Sequence, residues 1–250
     1  MDRDEVVRYL DEYLKIAEIE DDSRNGLQVE GRAEVRHVTL AVDACMAAFR
    51  RAGEIGADML VVHHGLFWDS YRPLVGGHLR RVRALLDREL SLYAVHLPLD
   101  AHAEVGNNAA LAEILGLETV TTFGQYRGVS VGLEVRPAQE LSVEAFVALV
   151  EERLGAPVVT QAFGPPRVRR VGIVSGGGAS MIEQAAAHGL DLFLTGERSH
   201  SFYHQAAELG IHVLYAGHYV TETLGVKALG RHLAGRFGLQ TTFIELPTGL

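Results

Sequence analysis

Tyr93-Ala94-Val95-His96 returns as Tyr215-Ala216-Gly217-His218, and these two copies decide how the chain is read. Each carries an acid four residues beyond its histidine, Asp100 in the first and Glu222 in the second. Upstream, Val38-Thr39-Leu40-Ala41-Val42, a helical stretch and Asp58-Met59-Leu60-Val61-Val62-His63-His64 match a second block at a constant offset of 133. That block is Val171-Gly172-Ile173-Val174-Ser175, a helical stretch and Asp191-Leu192-Phe193-Leu194-Thr195-Gly196-Glu197. From the tetrapeptide onward the offset is 122, as far as Leu115-Gly116-Leu117 and Phe237-Gly238-Leu239, so the first copy carries 11 additional residues. They fall around Phe67 to Gly77, where Trp68, Pro73 and two glycines read as a loop. A chance match does not hold register across strand, helix and strand, so the chain reads as two copies of one α/β unit. The period is too long for a solenoid. Two diverged halves, residues 1–126 and 127–250, are expected to pack together with the functional site between them, because no low-complexity linker separates them.

Working outward, residues 4–17 form an amphipathic helix with Val6, Leu10, Tyr13 and Leu14 on one face, and Asp21 to Gln28 read as a polar loop. Strands are predicted at about 37–43, 58–63 and 92–96, with helices at about 45–55, 78–88 and 107–115. The second half opens on the alternating strand Val129 to Val135 and a helix with Ser142 as its N-cap. Pro165-Pro166 then precedes a strand at 168–174, and Thr241 to Leu246 is a closing strand that returns to a sheet. Strands alternating with helices of this length imply mixed, mostly parallel sheets.

The composition is that of an ordinary globular protein, 48% hydrophobic and 22% charged. A net charge of −9 argues against a nucleic-acid groove, and the basic runs Arg80, Arg81, Arg83, Arg88 and Arg231, Arg236 read as solvated helix faces. Cys45 is the single cysteine, so neither an intrachain disulfide nor a thiolate zinc site is available. The start, Met1-Asp2-Arg3-Asp4-Glu5, is acidic, and no segment has the length of a membrane span, so a soluble cytoplasmic protein is expected.

In parallel α/β sheets ligands gather beyond the carboxyl ends of the strands. His63 and His64 follow Leu60-Val61-Val62, His96 ends one strand and His218 follows another. Neighbouring strand residues point to opposite faces, so His63 and His64 share a site only if the strand ends there, as Gly65 suggests. His218 and Glu222 are four apart where a helix at 219–234 begins, on one face of it. His63, His64, Asp100, His218 and Glu222 together form an imidazole and carboxylate set suited to one or two divalent metals. Ser175-Gly176-Gly177-Gly178-Ala179-Ser180 joins strand to helix and reads either as an anion cradle or as a tight turn; it lacks the ending of a Walker motif. Thr195-Gly196-Glu197 with His200 occupies the repeat position of His63-His64, with Glu197 a candidate general base or part of a structural network.

Val-Val-His-His-Gly-Leu-Phe at 61–67, His-Leu-Pro-Leu-Asp at 96–100 with Asn107-Asn108, Thr195-Gly196-Glu197 with His200, and Gly217-His218 with Glu222 resemble the Nif-three-like family. Its members are also named GTP cyclohydrolase I type 2 homologs. The resemblance covers nearly the whole chain, including Asn25-Gly26-Leu27-Gln28. It implies two intertwined α/β repeats, a dinuclear metal centre and a ring-shaped homohexamer. By position the implied ligands are His63, His64, Asp100, His218 and Glu222. Glu222 bridges, His64 and Asp100 share one metal, and His63 and His218 share the other. His96 departs from this minimal set and is either an extra ligand or, the favoured assignment, a member of the surrounding shell, as His200 is.

The leading expectation is a hydrolase with two divalent ions per chain, zinc, manganese, iron or nickel, acting on a nucleotide, phosphoester or purine ring. Its catalytic residues are Glu222 and Glu197. The alternative is a non-catalytic metal-binding scaffold or regulatory interaction module.

Overall fold

The computed structural model describes residues 1–250 and divides into two compact units, each described in turn. The first comprises Met1–Leu99 with Val226–Leu246, the second Asp100–Gly225 with Pro247–Leu250. The chain is thus interleaved: it builds one sheet, then the other, and returns to the first with its last strand. No helix is long and apolar enough to cross a membrane.

The first unit holds a five-stranded sheet. Its strands are β1 (Gly26–Val29), β2 (His37–Asp43), β3 (Met59–His64), β4 (Ser91–Ala94) and β11 (Gln240–Phe243), in the spatial order β1-β4-β3-β2-β11. All pairings are parallel except β1 with β4. The strands β3 and β4 are buried almost throughout, which is why they read as continuous apolar runs rather than alternating ones. Against this sheet lies a core that includes Phe49, Leu60, Leu85 and Leu92, with α2 (Met46–Glu54) and α3 (Gly76–Leu86) supplying Phe49 and Leu85. The helix α1 (Arg3–Tyr13) is four residues shorter at its C-terminal end than periodicity suggests, and Lys15 beyond it takes a positive φ of 53°. The polar loop expected over Asp21 to Gln28 ends early. From Gly26 the chain is the edge strand β1, whose two central residues are half-buried and therefore carry no apolar run.

The second unit holds six strands in the order β5-β6-β8-β9-β10-β7. They are β5 (Glu118–Tyr126), β6 (Val129–Arg136), β7 (Val159–Gln161), β8 (Val171–Val174), β9 (Leu192–Thr195) and β10 (His212–Tyr215). The pairings β8-β9 and β9-β10 are parallel, the others antiparallel. A two-residue turn joins β5 to β6, and both Arg127 (φ 50°) and Gly128 (φ 81°) have the positive φ that matches strand twist in a tight hairpin. The core here centres on Phe146 of α6 (Val143–Leu154) and on Val171, Leu192 and Leu214. Ser142 caps α6 by accepting from the Ala145 amide at 3.2 Å, as the sequence predicts.

The same four-strand nucleus recurs in both sheets. Parallel β2-β3-β4 with antiparallel β1 beside β4 corresponds to parallel β8-β9-β10 with antiparallel β7 beside β10. The difference lies on the other flank, where β2 takes β11 in parallel and β8 takes β6 antiparallel. The mixed α/β class, with parallel strands at the centre of both sheets, agrees with the sequence reading.

One buried charge organises the second sheet. Glu134 on β6 is 2% exposed. Arg170 Nε donates to its Oε1 at 2.9 Å and Arg170 Nη2 to its Oε2 at 3.1 Å, while His188 Nε2 lies 2.9 Å from Oε2. The Arg170 hydrogen bonds hold the carboxyl well below its ordinary range, down to about 2, against the opposing effect of burial. A carboxylate with a depressed folded pKa contributes stability that is fully present above its unfolded value and lost as pH falls through the folded one. Glu134→Gln should therefore cost about 2 kcal/mol at neutral pH. The gap between parent and variant in urea denaturation should close as pH falls from about 4.5 toward 2. A gap that stays constant across that window would remove the carboxylate from the account.

Candidate metal centre

In the first unit, three imidazoles meet where β3 and β4 end. His63 and His64 are the last residues of β3, and their ring centroids lie 4.8 Å apart with planes tilted by 45°. The two rings are therefore near neighbours, as expected if the strand terminates there. His96 follows β4, with centroids 5.1 Å from His63 and 5.7 Å from His64. The ligand nitrogens of these three residues all lie within 4.8 Å of one another.

Each ring has its Nδ1 engaged by an acceptor. His63 Nδ1 is 2.9 Å from the Val95 carbonyl, His64 Nδ1 is 2.9 Å from Asp43 Oδ1, and His96 Nδ1 is 2.9 Å from Asp21 Oδ1. Carbonyl and carboxylate oxygens only accept, so Nδ1 carries the proton and Nε2 holds the lone pair that a metal requires. Outer partners of this kind fix ring orientation and raise the basicity of the ligand. Burial alone would raise the Asp21 carboxyl. Hydrogen bonds from His96, Asn25 and the Ser23 amide outweigh it and hold the group at about 2. The indole of Trp68, whose Nε1 donates to the Gly65 carbonyl at 3.0 Å, stands nearly edge-on to His96 with centroids 5.2 Å apart.

In the second unit the carboxylates gather. Asp100 lies in the short helix α4 (Leu97–Ala101), which admits Pro98 in its first turn because no amide is needed there. The Asp100 Oδ1 accepts from Asn107 Nδ2 at 2.8 Å and from Ser175 Oγ at 2.9 Å, which fixes the plane of the carboxylate. Asn107 and Asn108 open α5 (Asn107–Ile114) and are fully buried. Asn108 Oδ1 accepts from the Ser175 amide at 2.8 Å, tying the glycine loop to the same network.

His218 and Glu222 occupy the first turns of α9 (His218–Phe237), one turn apart. Their Nε2 and Oε1 lie 3.0 Å from each other, and on the opposite side of the ring His218 Nδ1 lies 2.8 Å from Glu197 Oε2. A neutral imidazole has one N–H and cannot donate to both carboxylates. The arrangement needs a positive charge, as an extra proton or a cation. Two atoms each about 2.1 Å from one ion at a near-tetrahedral angle stand roughly 3.4 Å apart, so the observed separation is within about half an ångström of that of neighbouring metal ligands.

The Ser175–Ser180 loop is a wall of this cluster. The amides of Ser175, Gly176 and Gly178 already donate to Asn108 Oδ1, Thr221 Oγ1 and Thr195 Oγ1, so they do not form an anion cradle. Glycine is required because of what stands against it. Gly176 has a φ of +61°, and a Cβ there would collide with Glu222 Oε1 and lie 3.2 Å from His218 Nε2. A Cβ on Gly177 would meet only Glu197 and His218 atoms at 3.8 Å.

The structure thus places His63, His64 and His96 together in one unit and Asp100, His218 and Glu222, with Glu197, in the other. Glu197 is exposed and bonded to His218, which settles its immediate partner. His200 sits exposed on a single 3₁₀ turn, His200–Phe202, while the hydrogen bond to His218 Nδ1 belongs to Glu197. Sequence reading missed Asp21, Asp43 and Thr221. Only Asp43, the polar residue ending an apolar strand, carried a local signal.

These features define an α/β protein that presents imidazoles and carboxylates at the ends of its central strands. A family model described as Duf34/NIF3 (NGG1p interacting factor 3) matches residues 1–248, and the chain belongs to that family. A Deinococcus radiodurans protein named GTP cyclohydrolase 1 type 2 homolog is 43% identical over 248 residues, covering 99% of this chain and 94% of its own. Among solved structures, a protein of Thermus thermophilus is 47% identical with a TM-score of 0.91, covering 100% of both chains. The protein ybgI, described as of unknown function, is 37% identical with a TM-score of 0.95 and the same full coverage.

Gly176→Ala should destabilise the protein by about 2 kcal/mol through left-handed backbone strain and displacement of Glu222, whereas Gly177→Ala should be nearly neutral. Paired urea denaturation curves decide this, and equal losses in the two variants would contradict the role given to Gly176.

Proposed function

We propose that the chain is a metal-dependent hydrolase with a dinuclear centre, ligated by His63, His64, Asp100, His218 and Glu222. The observation that carries this reading is His218 held between the Glu197 and Glu222 carboxylates, an arrangement that a cation at Nε2 would satisfy. The fixed tautomers of His63 and His64 support it from the other unit. In this reading His64 and Asp100 would hold one ion and His63 and His218 the other, with Glu222 a ligand to the pair. Imidazoles with hard carboxylates suit zinc, manganese, iron or nickel.

A pair of divalent ions bound there would supply Lewis acidity, ionise a water and steady charge developing on the substrate. The protein's own residues do the rest. Asp43 and Glu197 keep the His64 and His218 rings turned and correctly protonated. Asn107 and Ser175 keep the Asp100 carboxylate in one plane. Glu197, exposed and bonded to His218, is the group assigned to proton transfer with solvent. The substrate class is a nucleotide, a phosphoester or a purine ring, and the name borne by the Deinococcus relative favours the purine among them. A ring-shaped homohexamer belongs to the same proposal and is read by light scattering.

A second reading, a metal-binding scaffold without turnover, draws on the family's description as an interacting factor. Elemental analysis of protein purified without added metal or chelator tests the ligand set. About two ions per chain are expected in the parent and fewer in His218→Ala. A metal-free parent that also fails to take up zinc or manganese would sink both readings. With metal established, Glu222→Ala should stay folded and lose turnover in a screen of nucleotides, phosphoesters and cyclic amidines. No turnover by the metal-loaded parent across that screen would leave the scaffold.

A further inference from the structure

We infer that His96 is itself a metal-ligating residue, the third imidazole of a His63–His64–His96 face, and that Asp21 is the residue that positions it. This rests on the metal-binding reading above but goes beyond its ligand set, from which the family resemblance leaves His96 out. A residue of the surrounding shell touches a ligand and points its second nitrogen elsewhere. His96 does the reverse: its Nδ1 is spent on Asp21 and its ring stands 5.1 and 5.7 Å from those of His63 and His64. The ligand atoms of all three lie within 4.8 Å of one another. Three imidazoles wired alike, each with Nδ1 against an acceptor, offer nitrogens within reach of one another, a grouping that could hold a metal ion.

The loop before β1 is built around this histidine. The Asp21 side chain is 2% exposed and accepts from four groups: the His96 ring, the Leu97 amide at 2.9 Å, the Ser23 amide at 3.0 Å and Asn25 Nδ2 at 3.0 Å. Asn25 in turn accepts the His96 backbone amide at 2.8 Å. Backbone and side chain of His96 are therefore both clamped by residues 21–25. Burying a carboxylate costs several kcal/mol unless it is fully bonded. A clamp of this kind is over-built for a histidine that only packs, and it matches the carboxylate–histidine–metal arrangement in which the outer acid sharpens the ligand.

The chemical consequence concerns which ion is held. A further imidazole among the carboxylates favours zinc, iron, cobalt or nickel over magnesium and calcium.

The test uses the full-length chain loaded with cobalt(II). Affinity is measured by competition with a chelator, and the number of imidazoles around the metal by X-ray absorption. His96→Gln should weaken cobalt binding by on the order of 100-fold and remove one imidazole per chain from the cobalt shell. Asp21→Asn should keep every imidazole at saturating cobalt while weakening binding about 10- to 100-fold. His63→Ala is the reference. If it loses cobalt while His96→Gln keeps the parent's affinity and imidazole number, His96 is no ligand. If His63→Ala also keeps its cobalt, the metal-binding reading itself falls. Should His96→Gln not fold, as judged by circular dichroism, the Asp21→Asn titration decides, since parental affinity there overturns the clamp.

Discussion

The structure turns on the commitment of one nitrogen in each of four imidazoles. His63, His64, His96 and His218 all have Nδ1 against an oxygen that can only accept: a carbonyl in the first case and Asp43, Asp21 and Glu197 in the others. Protonation at Nδ1 leaves Nε2 basic, and the position of Nε2 is then set by backbone geometry rather than by a flexible chain. That explains why the histidines sit at strand ends and at a helix start. There the last backbone groups of the regular elements are still held, while the side chain is released toward an open edge.

The glycines follow from the same requirement. A loop that passes beside a buried carboxylate and an imidazole must have no side chain of its own, and Gly176 meets this at positive φ. The neighbouring amides are tied to Asn108, Thr221 and Thr195, so the loop is held as firmly as the helix it faces. Loop and helix therefore set each other's position, and Glu222 is fixed by what surrounds it as much as by its own place on α9.

How much of this was legible in the sequence depends on burial. The central strands β2, β3, β4, β8, β9 and β10 announce themselves as apolar runs because helices or loops cover them, and the internal repeat aligns them from residue identity alone. The histidines, Asp100 and Glu222 stood out because they follow those runs. What stayed hidden lies at the edges. The half-buried centre of β1 looked like loop, the mostly exposed β5 carries no alternation, and three-residue β7 is below the length at which a pattern exists. Asp21 was invisible for another reason: its partner is 75 residues away, and nothing near it in the chain reveals that its carboxylate is buried.

The interleaving of the chain sets the order in which the protein can be completed. The strand β11 pairs with β2 across about two hundred positions of sequence. During synthesis the second sheet can pair all six of its strands while the first still has an open flank beside β2. An apolar strand edge left open is where a nascent chain is most exposed to pairing with a neighbour. The sheet that starts first is therefore the one completed last, and its flank beside β2 stays open from the synthesis of β2 until that of β11.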